Sequence, residues 1–87
     1  MNMYTIRDAA AQYFMPIFLA KTDAQAARMF SESMGMNRTH KADYVLFRVG
    51  SFDSDNGTVT STDPEMVLAG MSLPDDENGL IMKGENQ

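Results

Sequence analysis

The longest alternating run of apolar and polar residues extends from residue 43 to residue 52. Its β-branched and aromatic side chains suit a pleated, half-buried surface, so the run predicts a strand. Side chains alternate along a strand, which places Val45, Phe47 and Val49 on one face. We expect this to be the central strand of a small sheet. Its other face is mixed in character and is expected to be partly wet; it carries Tyr44, Leu46, Arg48 and Phe52.

An acidic turn, residues 53–57, follows this strand. It ends in Asn56-Gly57, the favoured pair where both residues of a tight turn need positive φ, and residues 58–62 then read as the return strand of a hairpin. The turn also resembles the opening of a calcium loop. However, Gly57 is fifth rather than sixth, and Pro64 stands where the closing glutamate belongs. We interpret the segment as a hairpin turn and predict no metal site.

Two strand-like segments occupy the first twenty residues. Residues 3–8 alternate, with Tyr4 and Ile6 on one face. Residues 13–20 are the most apolar segment of the chain. Because Pro16 cannot donate to a ladder, this second segment is predicted to be an edge strand or to carry a bulge. The two segments are expected to pair as a hairpin.

A helix is predicted from residue 22 onward. Thr22 can accept from the amide of Gln25 while the Gln25 side chain reaches back, as in a capping box. Gly35 then supplies the left-handed residue that ends many helices. One apolar stripe follows at helical spacing, and it consists of Ala26, Ala27, Phe30 and Met34.

A second, short helix is predicted near the end of the chain. Asp63 reads as its N-cap, Pro64 as its first position and Gly70 as its stop. The fold class is therefore α+β: a small, mostly antiparallel β-β-α-β-β sheet with one helix packed on a face and a short C-terminal helix. Residues 1–73 form a single domain in this prediction. Residues 74–87 are expected to be an acidic, flexible tail with an apolar island at 80–82.

Length and composition limit the number of domains, the kinds of cross-link and the cellular compartment that we expect. A chain of 87 residues is expected to form one domain of marginal stability, and oligomerisation is one way in which such a domain is stabilised. The chain has no cysteine, which excludes disulfides and Cys-based metal sites and fits a reducing compartment. We see neither a signal peptide nor an apolar run long enough to span a bilayer, so the protein is expected to stay where it is made.

The charge of the chain is uneven. The net charge is −5, but residues 1–48 carry six basic and four acidic side chains, whereas residues 49–87 carry one and eight. One interpretation is a mixed aromatic and basic sheet face, on which single-stranded bases would stack, formed by Tyr4, Arg7, Tyr13, Phe14 and Arg48. The alternative is that these aromatics are core. The candidate phosphate contacts are Arg7, Arg38, His40, Lys41 and Arg48, and the candidate stacking residues are Tyr4 and Tyr13.

No set of residues indicates catalysis. His40 is the only histidine, there is no Gly-x-Ser-x-Gly elbow, and no carboxylate pair has the apolar surroundings that would raise a pKa. No phosphate-binding glycine loop is present either. We therefore expect a protein that is not an enzyme and that uses no cofactor.

Several short motifs occur in order along residues 3–68. They are Tyr4-Thr5-Ile6-Arg7-Asp8, Tyr13 with Pro16-Ile17-Phe18, Thr22-Asp23-Ala24, Ala27-Arg28-Met29-Phe30, His40 with Asp43-Tyr44-Val45-Leu46-Phe47, and Gly50-Ser51-Phe52-Asp53 followed by Gly57. Together they resemble the small nonstructural protein of gokushovirus-type microviruses, which are single-stranded DNA phages. The chain departs from that pattern at Lys41-Ala42, where the family typically has a proline after the histidine.

The resemblance implies a protein made in the cytoplasm of the infected bacterium and absent from the mature particle. It also implies a role in single-stranded DNA synthesis or genome packaging. Such a role would use binding to single-stranded DNA, to the phage or host replication and packaging proteins, or to both. The alternative is a homodimeric protein-interaction module without direct DNA contact. The family brings no catalytic residues.

Overall fold

A five-stranded antiparallel sheet forms the framework of the protein. The computed structural model describes residues 1–34 and 39–73. The strand order is β2-β1-β4-β5, and β3 lies beside β2 on the same edge of β1. The strands are β1 (Asn2–Asp8), β2 (Tyr13–Phe14), β3 (Phe18–Ala20), β4 (Tyr44–Asp53) and β5 (Thr58–Ala69). The helix α1 spans Asp23–Met34, and short 3-10 turns span Lys41–Asp43 and Gly70–Ser72.

The predicted α+β class and the central position of β4 are confirmed, since β4 pairs with β1 on one side and with β5 on the other. The apolar segment 13–20 lies at a sheet edge, as predicted. It forms two short strands, because Pro16 interrupts the pairing between them. At the interruption the Met15 amide donates to the Ile6 carbonyl at 2.8 Å, and the Thr5 hydroxyl donates to the Met15 carbonyl at 2.6 Å.

Helix α1 begins as its sequence predicts. The Gln25 amide donates to Thr22 Oγ1 at 3.0 Å. The Gln25 side chain accepts from the Lys21 amide at 2.7 Å, one residue before the expected partner. Small side chains let the helix approach the sheet closely, with Phe30 as its buried anchor. The core that results consists of Tyr4, Ile6, Ala20, Ala26, Phe30 and Leu46.

The assignment of the two faces of β4 from the sequence was wrong. Leu46 is fully buried against the helix side, so the face expected to be partly wet is the one that forms the core. Phe47 and Val49, on the face that looked more uniformly apolar, are only half-buried. The helix covers one face of the sheet only, and alternation alone does not say which one.

The acidic segment after β4 is a hairpin turn, as predicted. The chain reverses through residues 54–57, and positive φ occurs at Gly57 (72°) but not at Asn56. The Asp53 carboxylate accepts from the Asn56 side chain at 2.9 Å and from the amides of Asp55 and Asn56. These bonds, the Asn56 side chain first, lower the pKa of Asp53.

Residues 63–69, predicted to form a short helix, belong to strand β5. The local signal of Asp63-Pro64 is overridden by pairing with β4, which sets Leu68 opposite Leu46 and Glu65 opposite Arg48. The only helical geometry at this end of the described chain is the 3-10 turn Gly70–Ser72. Gly70 is required there, because a Cβ would collide with the carbonyl oxygens of Lys41 and Tyr44.

Two predictions fall on segments outside the described residues: the helix stop at Gly35 and the acidic tail at 74–87. The limits of the predicted domain therefore stay a prediction. In the described ranges 1–34 and 39–73, no helix is long and apolar enough to cross a membrane.

Candidate nucleic-acid interface

The sheet has one face that α1 does not cover, which we call the open face. Strand alternation and the observed register place Thr5 and Arg7 of β1 there, since their neighbours Tyr4 and Ile6 point into the core. Phe47 pairs with Thr5, and Phe14 pairs with Arg7, so both aromatic side chains join the same face. The open face is thus defined by Thr5, Arg7, Phe14, Phe47 and Val49.

The aromatic and basic side chains of the open face contact one another. The rings of Phe14 and Phe47 meet edge to face with centroids 5.8 Å apart. The guanidinium carbon of Arg7 lies 5.1 Å from the centroid of the Phe14 ring. Phe14 is 46% exposed, so one side of this assembly is open to solvent. Flat rings beside a guanidinium are the elements with which sheet platforms hold unpaired bases.

An apolar groove adjoins these side chains. It has a volume of about 510 Å³ and lies between the segment around Pro16 and strands β4 and β5. Ile17 is 56% exposed at its rim. The residues that line the groove are Thr5, Phe14, Met15, Pro16, Ile17, Val49 and Pro64.

Tyr4 and Arg48, two of the predicted contact residues, lie instead in a polar network on the helix side. Tyr4 is fully buried, which corrects its prediction as a stacking residue. Its hydroxyl donates to Asp23 Oδ1 at 2.6 Å and accepts from Nδ2 of the Asn2 side chain at 3.1 Å. The Arg48 guanidinium lies 3.6 Å from the same Asp23 oxygen and donates to Glu65 Oε1 at 2.5 and 3.2 Å.

The network shifts the pKa of two of its members, Tyr4 and Arg48. Burial, followed by the hydrogen bond to Asp23, raises the pKa of Tyr4 and keeps its hydroxyl protonated. The hydrogen bond to Glu65 and the charge of Asp23 raise the pKa of Arg48. Because two carboxylates already accompany Arg48, a phosphate would have to displace one of them to bind there.

The other predicted contacts are scattered. By register Tyr13 lies on the helix side of β2, opposite to Phe14, with its side chain 49% exposed. His40 and Lys41 line a separate cavity of about 280 Å³ beside Phe30. His40 Nδ1 lies 3.9 Å from Asp43, and Lys41 Nζ donates to the Leu73 carbonyl at 2.5 Å. Arg38 lies outside the described residues.

Of the described members of the predicted set, the structure therefore places Arg7 alone on the open face. The sequence predicts its aromatic partner Phe14 only as one member of a mixed face, and it predicts no contact role for Phe47. The register between β1 and β4 sets Thr5 opposite Phe47 and would have found Phe47. The register between β1 and β2 sets Arg7 opposite Phe14 and would have found Phe14.

No site for a metal is assembled by the described part of the chain, where no group of three or more His, Asp or Glu side chains could hold an ion. The carboxylates of Asp53 and Asp55 belong to the hairpin turn. The chemistry that the open face offers is stacking, apolar contact and one guanidinium.

Comparison with known protein families identifies the family of this chain. A family model described as Phage ORF5 protein matches residues 1–73. The chain belongs to the Phage ORF5 family. It is therefore a phage protein, as the resemblance in its sequence implied, and the family match ends at the last residue that the structure describes. Neither a curated protein nor a solved structure matches the chain.

Proposed function

We propose that this Phage ORF5 family member is a nonenzymatic accessory protein of a gokushovirus-type microvirus, active in the host cytoplasm during single-stranded DNA synthesis or genome packaging. It binds single-stranded DNA, the replication and packaging proteins, or both. Support comes from membership of a phage family and from the ordered motifs shared with the microvirus proteins. The proposal requires no metal, cofactor or catalytic residue.

The observation that carries the DNA-binding part is the contact of Arg7, Phe14 and Phe47 on the sheet face that α1 does not cover. Base stacking on an aromatic ring tolerates any sequence, which suits a protein that handles a whole genome. Among the described residues no carboxylate lies within ion-pair distance of Arg7, so its charge is available to a phosphate. The net charge of −5 opposes long-range attraction to DNA, so the expected affinity is modest and dependent on salt.

Fluorescence anisotropy with a labelled oligothymidylate tests this part. Phe14→Ala is expected to weaken binding by about tenfold or more, since each stacked base contributes about 1–3 kcal/mol. Tyr13→Ala is the matched control, because Tyr13 is a neighbouring, equally exposed aromatic on the other side of the same strand. Arg7→Ala is expected to reduce the salt dependence by about 0.7 in log–log slope.

Two results would count against the DNA-binding part. One is an unchanged anisotropy with the wild-type protein at tens of micromolar in low salt. The other is loss of binding in Tyr13→Ala with no change in Phe14→Ala, which would move the interface to the helix side. That second outcome would support Tyr13 as the stacking residue that the sequence predicts.

The second candidate is a homodimeric protein-interaction module without direct DNA contact. The apolar groove beside Phe14 and Ile17 favours it, since uncovered apolar surface of this kind marks contact sites. Failure to bind DNA combined with a stable dimer by light scattering would support this candidate over the first.

A further inference from the structure

Within the described part of the chain, strand β5 has one long edge that no other strand pairs with. β5 is the last strand in the sheet order, and within residues 1–34 and 39–73 only β4 pairs with it. Every residue from 58 to 66 is exposed, including Val59 at 60%. Natural proteins shield such edges, because free amide and carbonyl groups recruit another strand.

The hydrogen bonds of β4 show which groups of β5 face outward. The Phe52 amide donates to the Met1 carbonyl at 2.7 Å, so the backbone polar groups of Phe52 point away from β5. Phe52 and Val59 are directly opposite and therefore form a non-hydrogen-bonded pair. The amide and carbonyl of Val59 consequently point to the free edge. The register is regular as far as Ser61, whose amide and carbonyl point the same way.

This edge is complementary to itself. Val59 and Ser61 flank Thr60 symmetrically, so a twofold axis beside Thr60 brings Val59 of one copy opposite Ser61 of the other. Each such pair exchanges two backbone hydrogen bonds, as antiparallel hydrogen-bonded pairs do. The two copies of Thr60 then lie opposite each other.

The side chains favour this register over its neighbours. Residues 58–62 carry no charge, and Thr58 falls opposite Thr62, a favourable cross-strand pair. Asp63 falls opposite Gly57 rather than opposite an acid. Beyond it, Pro64 has no amide to donate, which limits the pairing to a short stretch.

We infer that a second copy of this chain pairs with the β5 edge across a twofold axis at Thr60, forming a homodimer with one continuous sheet. A closed twofold uses the free edge of both copies, so the pairing ends at two chains. In this dimer both open faces lie on the same side of the sheet. The inference rests on the strand edge and is independent of DNA binding.

Charge substitutions at the axis test the register. Thr60→Asp and Thr60→Lys each set like charges opposite themselves, and each is expected to raise the dimer dissociation constant at least about tenfold. An equimolar mixture of the two variants is expected to restore the dimer, since opposite charges then face each other. Met71→Asp is the control, because Met71 is 72% exposed and lies outside β5.

Sedimentation velocity of the full chain is the measurement. The wild type and Met71→Asp are expected to approach twice the 9.7 kDa of one chain as concentration rises. A wild type that stays monomeric at about 1 mM would overturn the inference, because its dissociation constant would then be too high for a functional dimer. So would a dimer that both Thr60 variants preserve, since its contact would lie elsewhere. Recovery in the mixture shows that a variant's failure to dimerise is not a failure to fold.

Discussion

Replacing Tyr4 by phenylalanine removes one oxygen atom from the centre of the polar network. That oxygen donates the hydrogen bond to Asp23, and the ring itself stays packed against Phe18 with centroids 5.8 Å apart. The substitution therefore separates the hydrogen bond from the packing. It tests whether the network or the apolar core fastens the start of α1 to β1.

The expected loss follows from the contacts. Hydrogen bonds to charged groups contribute about 1.5–3 kcal/mol. Asp23 is half exposed and retains Arg48 at 3.6 Å, so the lower part of that range applies. We expect Tyr4→Phe to lower the free energy of unfolding by about 1.5–2 kcal/mol. In a domain of this size each kcal/mol corresponds to about 4–8 °C in Tm.

Urea unfolding followed by circular dichroism measures the loss, with Tyr13→Phe as the matched control. Tyr13 is 49% exposed, so its variant is expected to stay within about 0.5 kcal/mol of the wild type. A double-mutant cycle with Asp23→Ala is expected to give a coupling of about 1 kcal/mol or more. Equal stabilities of Tyr4→Phe and Tyr13→Phe would refute the reasoning.

The effect of Tyr4→Phe on the free energy of unfolding is also expected to depend on pH. The folded state raises the pKa of Tyr4 above its ordinary value of 10.0, so folding favours the protonated hydroxyl. Its contribution is complete below about pH 10 and is lost as the pH rises through the folded-state pKa. The stability advantage of the wild type over Tyr4→Phe is therefore expected to shrink as the pH rises above about 10.

Two further substitutions test the core and the close approach at the end of β5. Phe30→Ala is expected to cost about 3–5 kcal/mol in urea unfolding, because Phe30 is the fully buried anchor of α1; Met29→Ala, on the exposed side of the same helix, is expected to cost less than about 1 kcal/mol. Similar losses in both would contradict the assigned helix face. Gly70→Ala is expected to cost about 2–3 kcal/mol, since its methyl group meets the Lys41 carbonyl. A wild-type Tm in Gly70→Ala would show that this contact relaxes freely.

Elements with strong local signals were predictable from the sequence. The capping residues Thr22 and Gln25 specified the start of α1, and Pro16 specified the break in the edge segment. The signal at Asp63-Pro64 failed, because a local helix preference of this size is smaller than the gain from pairing with an existing strand. The type of each element was thus predictable wherever no pairing with a distant strand competed with the local preference.

The candidate interface was less predictable. Tyr4 and Phe14 are both aromatic residues in strands, yet one is buried and the other is half exposed. Which of them faces solvent depends on where α1 packs, and no local pattern encodes that choice. The partners of Arg48 come from residues 23 and 65, a separation that sequence reasoning cannot bridge without the register.

The position of β1 in the sheet has a consequence for the order of folding. The first strand in the chain draws its partners from residues 13–20 on one side and 44–51 on the other, and β4 in turn needs residues 58–69. Such non-local pairings lose the entropy of closing long loops before their contacts stabilise the chain, and this slows folding toward the millisecond-to-second range. During synthesis β1 therefore waits unpaired on its β4 side until most of the domain has been made. We expect slow refolding, and substitutions in the β1–β4 ladder to slow it further than substitutions in α1.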